Sequence, residues 1–412
     1  MSAPVQPPIS AGFQLMAKPI GPVCNLRCAY CYYLPKRELY PPDEPWRMTD
    51  AVLESYTRQY LECSAPAPQV VFSWQGGEPA LMGLGFYRRA LELQRQYARP
   101  GQAVSNSFQT NGTLLDDEWC RFLREGKFLV GLSLDGPPEV HDPYRRDAQG
   151  QPTCERVLGA LKQLRRHQVE LNVLCSVQRL NAQQPRQVYR FLKQQGVRFV
   201  QFIPVVVPAD GGVSEHSVTP GQWGSFLCEV FDEWIRSDVG TVFIQGFDAA
   251  LAAWMGFEPP VCVFGETCGR ALIIEHNGDI YSCDHFVTPE HKLGNLTQTP
   301  LKQLVDSAAQ QQFALRKRDA RPDECKRCRF DFACHGACPK DRVGGANHLC
   351  AGYKRFFEHI NPYMEQMAEA LRCGQPAAVV MEQFRERPAV KKGRRRTAET
   401  RRRRAGVRKQ AT

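Results

Sequence analysis

No unbroken apolar run in these 412 residues is long enough to span a bilayer as a helix, which argues against a helical membrane protein. The opening stretch, MSAPVQPPISAG, lacks the charged n-region and apolar h-region of a secretory signal. No internal repeat recurs at a solenoid period. A net charge of +10 hints at nucleic acid, but the body of the chain carries none of it. Residues 391–412 hold eleven Lys/Arg against one Glu, and the rest balances at 42 basic and 42 acidic side chains. A neutral body argues against nucleic-acid binding outside the tail, and the tail has too little apolar content to fold. The seventeen cysteines are an odd number, poor material for a disulfide framework. The expected compartment is the reducing cytoplasm, since oxidation would destroy thiols set at metal-ligand spacings.

What is present is a rhythm. Six apolar, β-rich segments fall at 13–19, 69–74, 103–110, 128–134, 169–177 and 197–203. Helical periodicity fills stretches between them, for example 50–62, 84–98, 116–124, 155–167 and 183–196. Strand–helix alternation of this kind predicts right-handed βαβ units and a parallel sheet. Six units make an incomplete (β/α) barrel, open on one side. A cysteine run follows the first strand, GGEP the second, QTNG the third, and SLDG spans the end of the fourth. Loops at the C-terminal ends of barrel strands build active sites, so these four are expected to converge. A helix at 220–236, with Trp223, Phe226, Leu227, Val230 and Trp234 on one side, reads as core packing.

The cysteine run, CNLRCAYC, places Cys24, Cys28 and Cys31 at C-x3-C-x2-C. Three ligands suit a cubane iron–sulfur cluster whose fourth iron lacks a protein ligand. Structural zinc takes four ligands, so a lone triad fits it badly. The run resembles the signature of the radical S-adenosylmethionine (SAM) enzymes, in which SAM chelates that fourth iron. The resemblance implies that Gly76 and Gly77 let the backbone approach the methionyl amino group, because no Cβ intervenes. Glu78 would attract the same cation, Tyr30 would lie beside the adenine, and Gln109, Ser133 and Arg156 would complete the pocket. For Gln109 and Ser133, hydrogen bonding within the barrel is the alternative.

From 262 to 350 the composition changes. Cys262, Cys268, Cys283, Cys325, Cys328, Cys334, Cys338 and Cys350 make two sets of four, which suit iron–sulfur clusters or zinc equally. Their order resembles the SPASM domain, the auxiliary-cluster module of peptide-modifying radical SAM enzymes. That similarity assigns one cluster to Cys262, Cys268, Cys283 and Cys338, and the other to Cys325, Cys328, Cys334 and Cys350. With eight cysteines filling two clusters, His285 and His335 are not expected to ligate. Cys63, Cys120, Cys154, Cys175, Cys228 and Cys373 show no ligand spacing and read as ordinary thiols.

With both modules in place, the chain resembles the anaerobic sulfatase-maturating enzymes. The resemblance is carried by CNLRCAYCYYLPK, SWQGGEPALMG, SFQTNGTLL, SLDGPPEVHD and ETCGRALIIEHNGDIYSCDHFV. It implies oxidation of a cysteine or serine in a Cys/Ser-x-Pro-x-Arg motif of a sulfatase to Cα-formylglycine. It implies three 4Fe-4S clusters, SAM, a flavodoxin- or ferredoxin-type electron donor, and Asp284 as the general base; a solvated loop carboxylate is the alternative for Asp284. The expected fold is α/β, a partial (β/α)6 radical SAM barrel followed by a small cysteine-rich SPASM domain. The expected division is a flexible N-terminus at 1–12, the barrel at 13–240, the SPASM domain at 241–355, a closing helix at 356–378 and a disordered basic tail at 379–412. The competing reading is another SPASM-type modifier, such as a thioether-forming maturase. Such enzymes often carry an N-terminal peptide-recognition domain, for which the residues before the first strand are too few.

Overall fold

The computed structural model describes residues 8–384, apart from 66 and 210. Six strands form in parallel register: β1 Gln14–Lys18, β2 Gln69–Trp74, β3 Ala103–Thr110, β4 Phe128–Ser133, β5 Glu170–Val177 and β6 Phe199–Pro204. Every expected strand is present within two residues of its expected ends. The reason is period-two burial: on β3, Asn106, Phe108 and Thr110 are buried while the residues between them are partly exposed. Phe108 packs against Tyr87 and Trp119 on the covering helices Leu84–Tyr97 and Asp117–Glu125, with ring centroids 5.2 and 5.5 Å away. Local chemistry sets the helix starts. Thr49 caps Asp50–Cys63 by accepting from the Val52 N–H, and Asp116 caps Asp117–Glu125 by accepting from the Trp119 N–H.

The sheet does not stop at the barrel. A small hairpin, β7 Pro208–Ala209 and β8 Gly212–Val213, stands apart; β9 Phe243–Ile244 then joins β6 in parallel. At the other end β10 Ala271–Glu275 pairs with β1 in parallel, followed antiparallel by β11 Asp279–Tyr281 and β12 Lys292–Asn295. The result is one ten-stranded sheet in the order β12-β11-β10-β1-β2-β3-β4-β5-β6-β9. The cysteine-rich segment is therefore welded to the barrel rather than appended to it. The physical reason is that β1 would otherwise expose an unpaired edge. The pairing sets Lys18 opposite Glu275.

Both ends of the chain depart from expectation. Residues 8–12 are not a flexible extension. Ile9 and Ser10 are buried in a short 3-10 turn, and Asp306 accepts from the Ser10 N–H at 2.9 Å and its hydroxyl at 2.6 Å. The closing helix runs over Cys350–Arg372, starting earlier and ending earlier than 356–378. Beyond it, Ala377–Phe384 forms a 3-10 segment that buries Val380 and sets Phe384 against Tyr363, so the ordered chain continues past 379. The rest of the expected tail lies outside the described residues. The closing helix crosses Pro220–Ser237 so tightly that a Cβ on Gly352 would meet the Pro220 carbonyl at 2.4 Å.

Candidate active site

The loops after β1, β2, β3 and β4 meet at one end of the barrel, and backbone contacts hold them there. Gly77 N–H donates to the Gly21 carbonyl at 2.7 Å, and Glu78 N–H to the Val23 carbonyl at 2.9 Å. This explains the glycine pair: a Cβ on Gly77 would sit 1.9 Å from the Val23 oxygen, and Gly76 has φ +146°. In this structure the close approach is to the chain just before the cysteine triad. Glu78 is also committed to the chain. Its carboxylate accepts from Ala80 N–H at 3.0 Å, Thr110 hydroxyl at 2.7 Å and Asn111 N–H at 2.8 Å, and burial raises it to about 7. It joins the GGEP loop to the QTNG loop, a role distinct from the expected attraction of a ligand cation.

Cys24, Cys28 and Cys31 lie half-buried on this platform. Leu26 N–H donates to Cys24 Sγ at 3.3 Å and Asn111 Nδ2 approaches it at 3.8 Å. Burial raises the Cys24 thiol to about 12, with Glu78, Cys28 and Cys31 adding to it. Burial raises Cys28 to about 11, opposed by Arg145. These thiols are protonated without metal, and loading iron releases their protons.

The arginine beside the triad is Arg145, which the motifs did not single out. It is 8% exposed, its guanidinium lies 5.5 Å from the Tyr30 ring centre, and its Nε donates to Asp135 at 2.8 Å. Asp135 also accepts the Tyr30 hydroxyl and, at 2.9 Å, the Ser176 N–H. Tyr30 is thus tied by its hydroxyl, with Arg145 and, at 6.0 Å, Tyr144 beside its ring. Arg156, expected in the pocket, is instead half-exposed and pairs with Asp147 at 2.7 Å. It occupies the exposed side of the helix Cys154–Arg166, and its partner Asp147 bridges to Leu26 between Cys24 and Cys28. Gln109 and Ser133 face one another across β3 and β4, with Gln109 Nε2 donating to the Ser133 hydroxyl at 3.1 Å. The hydrogen bond within the barrel is therefore real.

The eight later cysteines sort into two quartets. Cys283 is raised by burial, with Cys338 and Cys262 adding to it, and Cys338 in turn feels Cys268. Cys325 feels Cys350 and Cys328, and Cys334 feels Cys350 and Cys325. The resemblance takes Cys262, Cys268, Cys283 and Cys338 as a first quartet and Cys325, Cys328, Cys334 and Cys350 as a second. Lys317, 1% exposed, donates to the Cys262 and Val263 carbonyls at 2.8 and 3.0 Å beside the first quartet. A buried cation there fits a site whose ligands are thiolates. Among the described residues, no three His, Cys, Asp or Glu side chains converge closely enough to grip a single ion. A cubane cluster, being larger than an ion, holds its thiolates further apart. The donor set therefore fits iron–sulfur clusters at all three places. His335 Nδ1 meets the Phe264 carbonyl at 2.7 Å, a bond between two cysteine-bearing segments.

Asp284 follows Cys283 and leans back toward the barrel. Its Oδ1 lies 2.5 Å from the Lys18 Nζ, in ion-pair contact without hydrogen-bond alignment, and its Oδ2 accepts the Tyr32 hydroxyl at 2.5 Å. Burial works to raise this carboxyl, but Lys18, His285 and the Tyr32 bond outweigh it and hold it below the usual carboxylate range. It is not a solvated loop carboxylate. His285 packs its ring 4.8 Å from Tyr32 and is driven down to about 4 by burial, so it is neutral. A cavity of about 800 Å³ joins the barrel interior to the first quartet, with Gln14, Val71, Gln201, Cys268, Cys283 and His285 among its walls.

Two family models fit these two regions. The radical SAM superfamily matches residues 19–192, and the iron-sulfur cluster-binding SPASM domain matches 262–329. The chain is a radical SAM enzyme with a SPASM module. The serine-type anaerobic sulfatase-maturating enzyme of Bacteroides thetaiotaomicron is 43% identical, over 94% of this chain and 98% of that protein. The cysteine-type enzyme of Clostridium perfringens is 34% identical, over 89% of this chain and all of its own length. The solved structure of native anSMEcpe with bound AdoMet and Cp18Cys peptide superposes with a TM-score of 0.81 at 33% identity, covering 87% of this chain and 99% of that one. This chain belongs to the anaerobic sulfatase-maturating enzymes. No helix among the described residues is long and apolar enough to cross a membrane.

Proposed function

We infer that the chain oxidises the side chain of one serine or cysteine in a sulfatase, within a Cys/Ser-x-Pro-x-Arg segment, to Cα-formylglycine. The observation that carries this is Asp284: a half-buried carboxylate held below the usual range, one residue from a cysteine of the first quartet and paired with Lys18 and Tyr32 of the barrel. Residues 13–240 serve as the radical module and 241–355 as the electron-accepting one. Cys24, Cys28 and Cys31 hold one 4Fe-4S cluster, and the two quartets hold one each. When bound, these clusters and SAM supply one-electron chemistry: a hydrogen atom leaves the target Cβ, and an electron leaves for the first quartet.

The chain's own residues handle position and protons. Arg145, with Gln109 and Ser133, presents donors at the strand ends for the SAM carboxylate, and the Tyr30 ring offers a face for the adenine. Gly76 and Gly77, whose backbone packs against residues 21–23, would hold the loop open beside the methionyl amino group. Asp284 takes the hydroxyl or thiol proton at a carboxylate oxygen, and its ionised state makes it ready to do so. His285, pushed down to about 4 by burial, walls the site beside Tyr32. Serine then yields the aldehyde directly, and cysteine yields a thioaldehyde that water hydrolyses. The first electron comes from a flavodoxin- or ferredoxin-type donor, in keeping with a reducing compartment.

The test is an anaerobic assay of reconstituted protein with dithionite, SAM and a peptide containing Cys-x-Pro-x-Arg, followed by mass spectrometry. Aldehyde formed alongside 5′-deoxyadenosine supports the reading. Deoxyadenosine without peptide change would shift it to a different peptide modifier. Asp284→Asn is expected to keep SAM cleavage and lower aldehyde formation by about 100-fold or more, the scale of a lost general base. Wild-type aldehyde formation by this variant would remove Asp284 from the mechanism.

A further inference from the structure

Lys18 stands just before the segment matched as radical SAM, and nothing about its sequence context marks it. It ends β1 with its side chain fully buried. A buried lysine is costly unless its charge is met. Here one carboxylate meets it, Asp284 at 2.5 Å, while its Nζ lies 4.5 Å from the centre of the Tyr33 ring. Glu275, its register partner on β10, accepts the Tyr33 hydroxyl at Oε1, and the ion pair of Lys18 is made with Asp284 instead. The lysine is therefore directed at Asp284. Its backbone is rigid, because β1 is paired on both sides, to β2 and to β10. Asp284, by contrast, lies on the connection between β11 and β12, after the last residue of β11.

We propose that Lys18 is a positioning residue for the oxidation: it anchors the Asp284 carboxylate of the SPASM module to the radical SAM barrel, so that the base sits at a set point relative to the triad. This rests on the reading of Asp284 as the base. The ion pair crosses from one module to the other, and the parallel β1–β10 pairing is what delivers it. Tyr32 holds the other oxygen from the loop that carries the triad, so the carboxylate is gripped from the barrel side at both ends. Loss of Lys18 leaves Asp284 held at one end only, free to swing about the Tyr32 bond. Deoxyadenosine formation does not need the base, whereas aldehyde formation does. The signature of the role is thus uncoupling: more SAM consumed for each aldehyde made.

The experiment compares Lys18→Met, Lys18→Gln and Asp284→Asn in the full-length, reconstituted enzyme. Iron content and visible absorbance establish cluster loading, and binding of a fluorescent Cys-x-Pro-x-Arg peptide is measured by anisotropy. Lys18→Met is expected to load iron and bind peptide as wild type does. Its ratio of aldehyde to deoxyadenosine is expected to fall about 100-fold, the scale of a reacting group misplaced by an ångström. Lys18→Gln, which keeps a donor of shorter reach, is read in its place if Lys18→Met does not load. An unchanged ratio in a loaded variant overturns the proposal, provided Asp284→Asn has lost aldehyde formation. Should Asp284→Asn retain it, the base reading itself fails. If both Lys18 variants fail to load while Asp284→Asn loads, Lys18 serves folding and the proposal is overturned. A fall in peptide affinity that accounts for the lost product also overturns it.

Discussion

The barrel and the cysteine-rich module solve the same problem, holding a reactive group in place, by opposite means. Barrel strands run five to eight residues and are backed by a continuous apolar core, including Phe72, Trp74, Tyr87 and Phe108. The module's own strands run two to five residues, and its helices around the second quartet, Asp323–Lys326 and Asp331–Cys334, run four each. Four-residue helices are far below the length that stabilises itself. In the structure Phe330 and Ala333 join them to the apolar core, Arg321 pairs with Asp331 at 2.5 Å, and Lys317 and His335 bond to backbone carbonyls nearby. The lesson is that long strands and their core shape the barrel, whereas the module rests on shorter elements and is expected to depend more on what its cysteines bind.

Iron removal tests that contrast most severely. Anaerobic chelation is expected to open 262–350 to protease while the barrel resists, since metal-binding energy at thiolate sites is folding energy. Equal resistance of both regions would break the comparison. Next in size is Gly77→Ala, inside the pre-shaped half. Its Cβ would strike the Val23 carbonyl, so a loss of about 3 kcal/mol in denaturant stability is expected. A neutral result would mean the loop platform is soft. Smaller again is the arginine pair. Arg145→Met is expected to weaken SAM binding by about 2 kcal/mol, the scale of a hydrogen bond to a charged group. Arg156→Met, on the exposed face, is expected to leave it within about 0.5 kcal/mol. Equilibrium binding to loaded enzyme measures both, and the reverse order would restore Arg156 to the pocket.

The smallest effect is acid sensitivity of the barrel. His141 is fully buried, faces the Asp135 N–H and the Thr153 hydroxyl, and is driven down to about 4 by burial. Its folded value lies below its unfolded one of about 6.5, so its contribution is present above 6.5 and is lost as pH falls toward 4. The melting temperature should fall over that window, and His141→Asn should flatten the slope. An unchanged slope would take His141 out of the acid response.

Much of the fold was legible because each barrel segment declares itself locally. The alternation in AVSNSFQT and the periodicity of 183–196 need no knowledge of neighbours. The triad was legible for the same reason: its ligands lie on one loop. Arg145 was not, because an arginine in HDPYRRD looks like any loop residue until Asp135 and Tyr30 close around it. Lys18 was missed because a lysine before proline at a strand end looks solvated, and only the β1–β10 pairing buries it. Arg156 came from the resemblance alone, and the structure pairs it with Asp147 on a half-exposed helix face. The ends of the ordered chain were misjudged because Ser10 and Val380 find partners far away in sequence.

By itself the sequence determined the strand–helix rhythm, the open cysteine triad and a cysteine-rich second module, because spacing along the chain carries those directly. Tertiary structure decided that Arg145 packs beside the triad loop with Asp135 and Tyr30, and that a buried lysine from the first strand meets Asp284. Those contacts join residues tens to hundreds of positions apart. Only burial, charge pairing and sheet register select among such partners, and none of the three exists until the chain has folded.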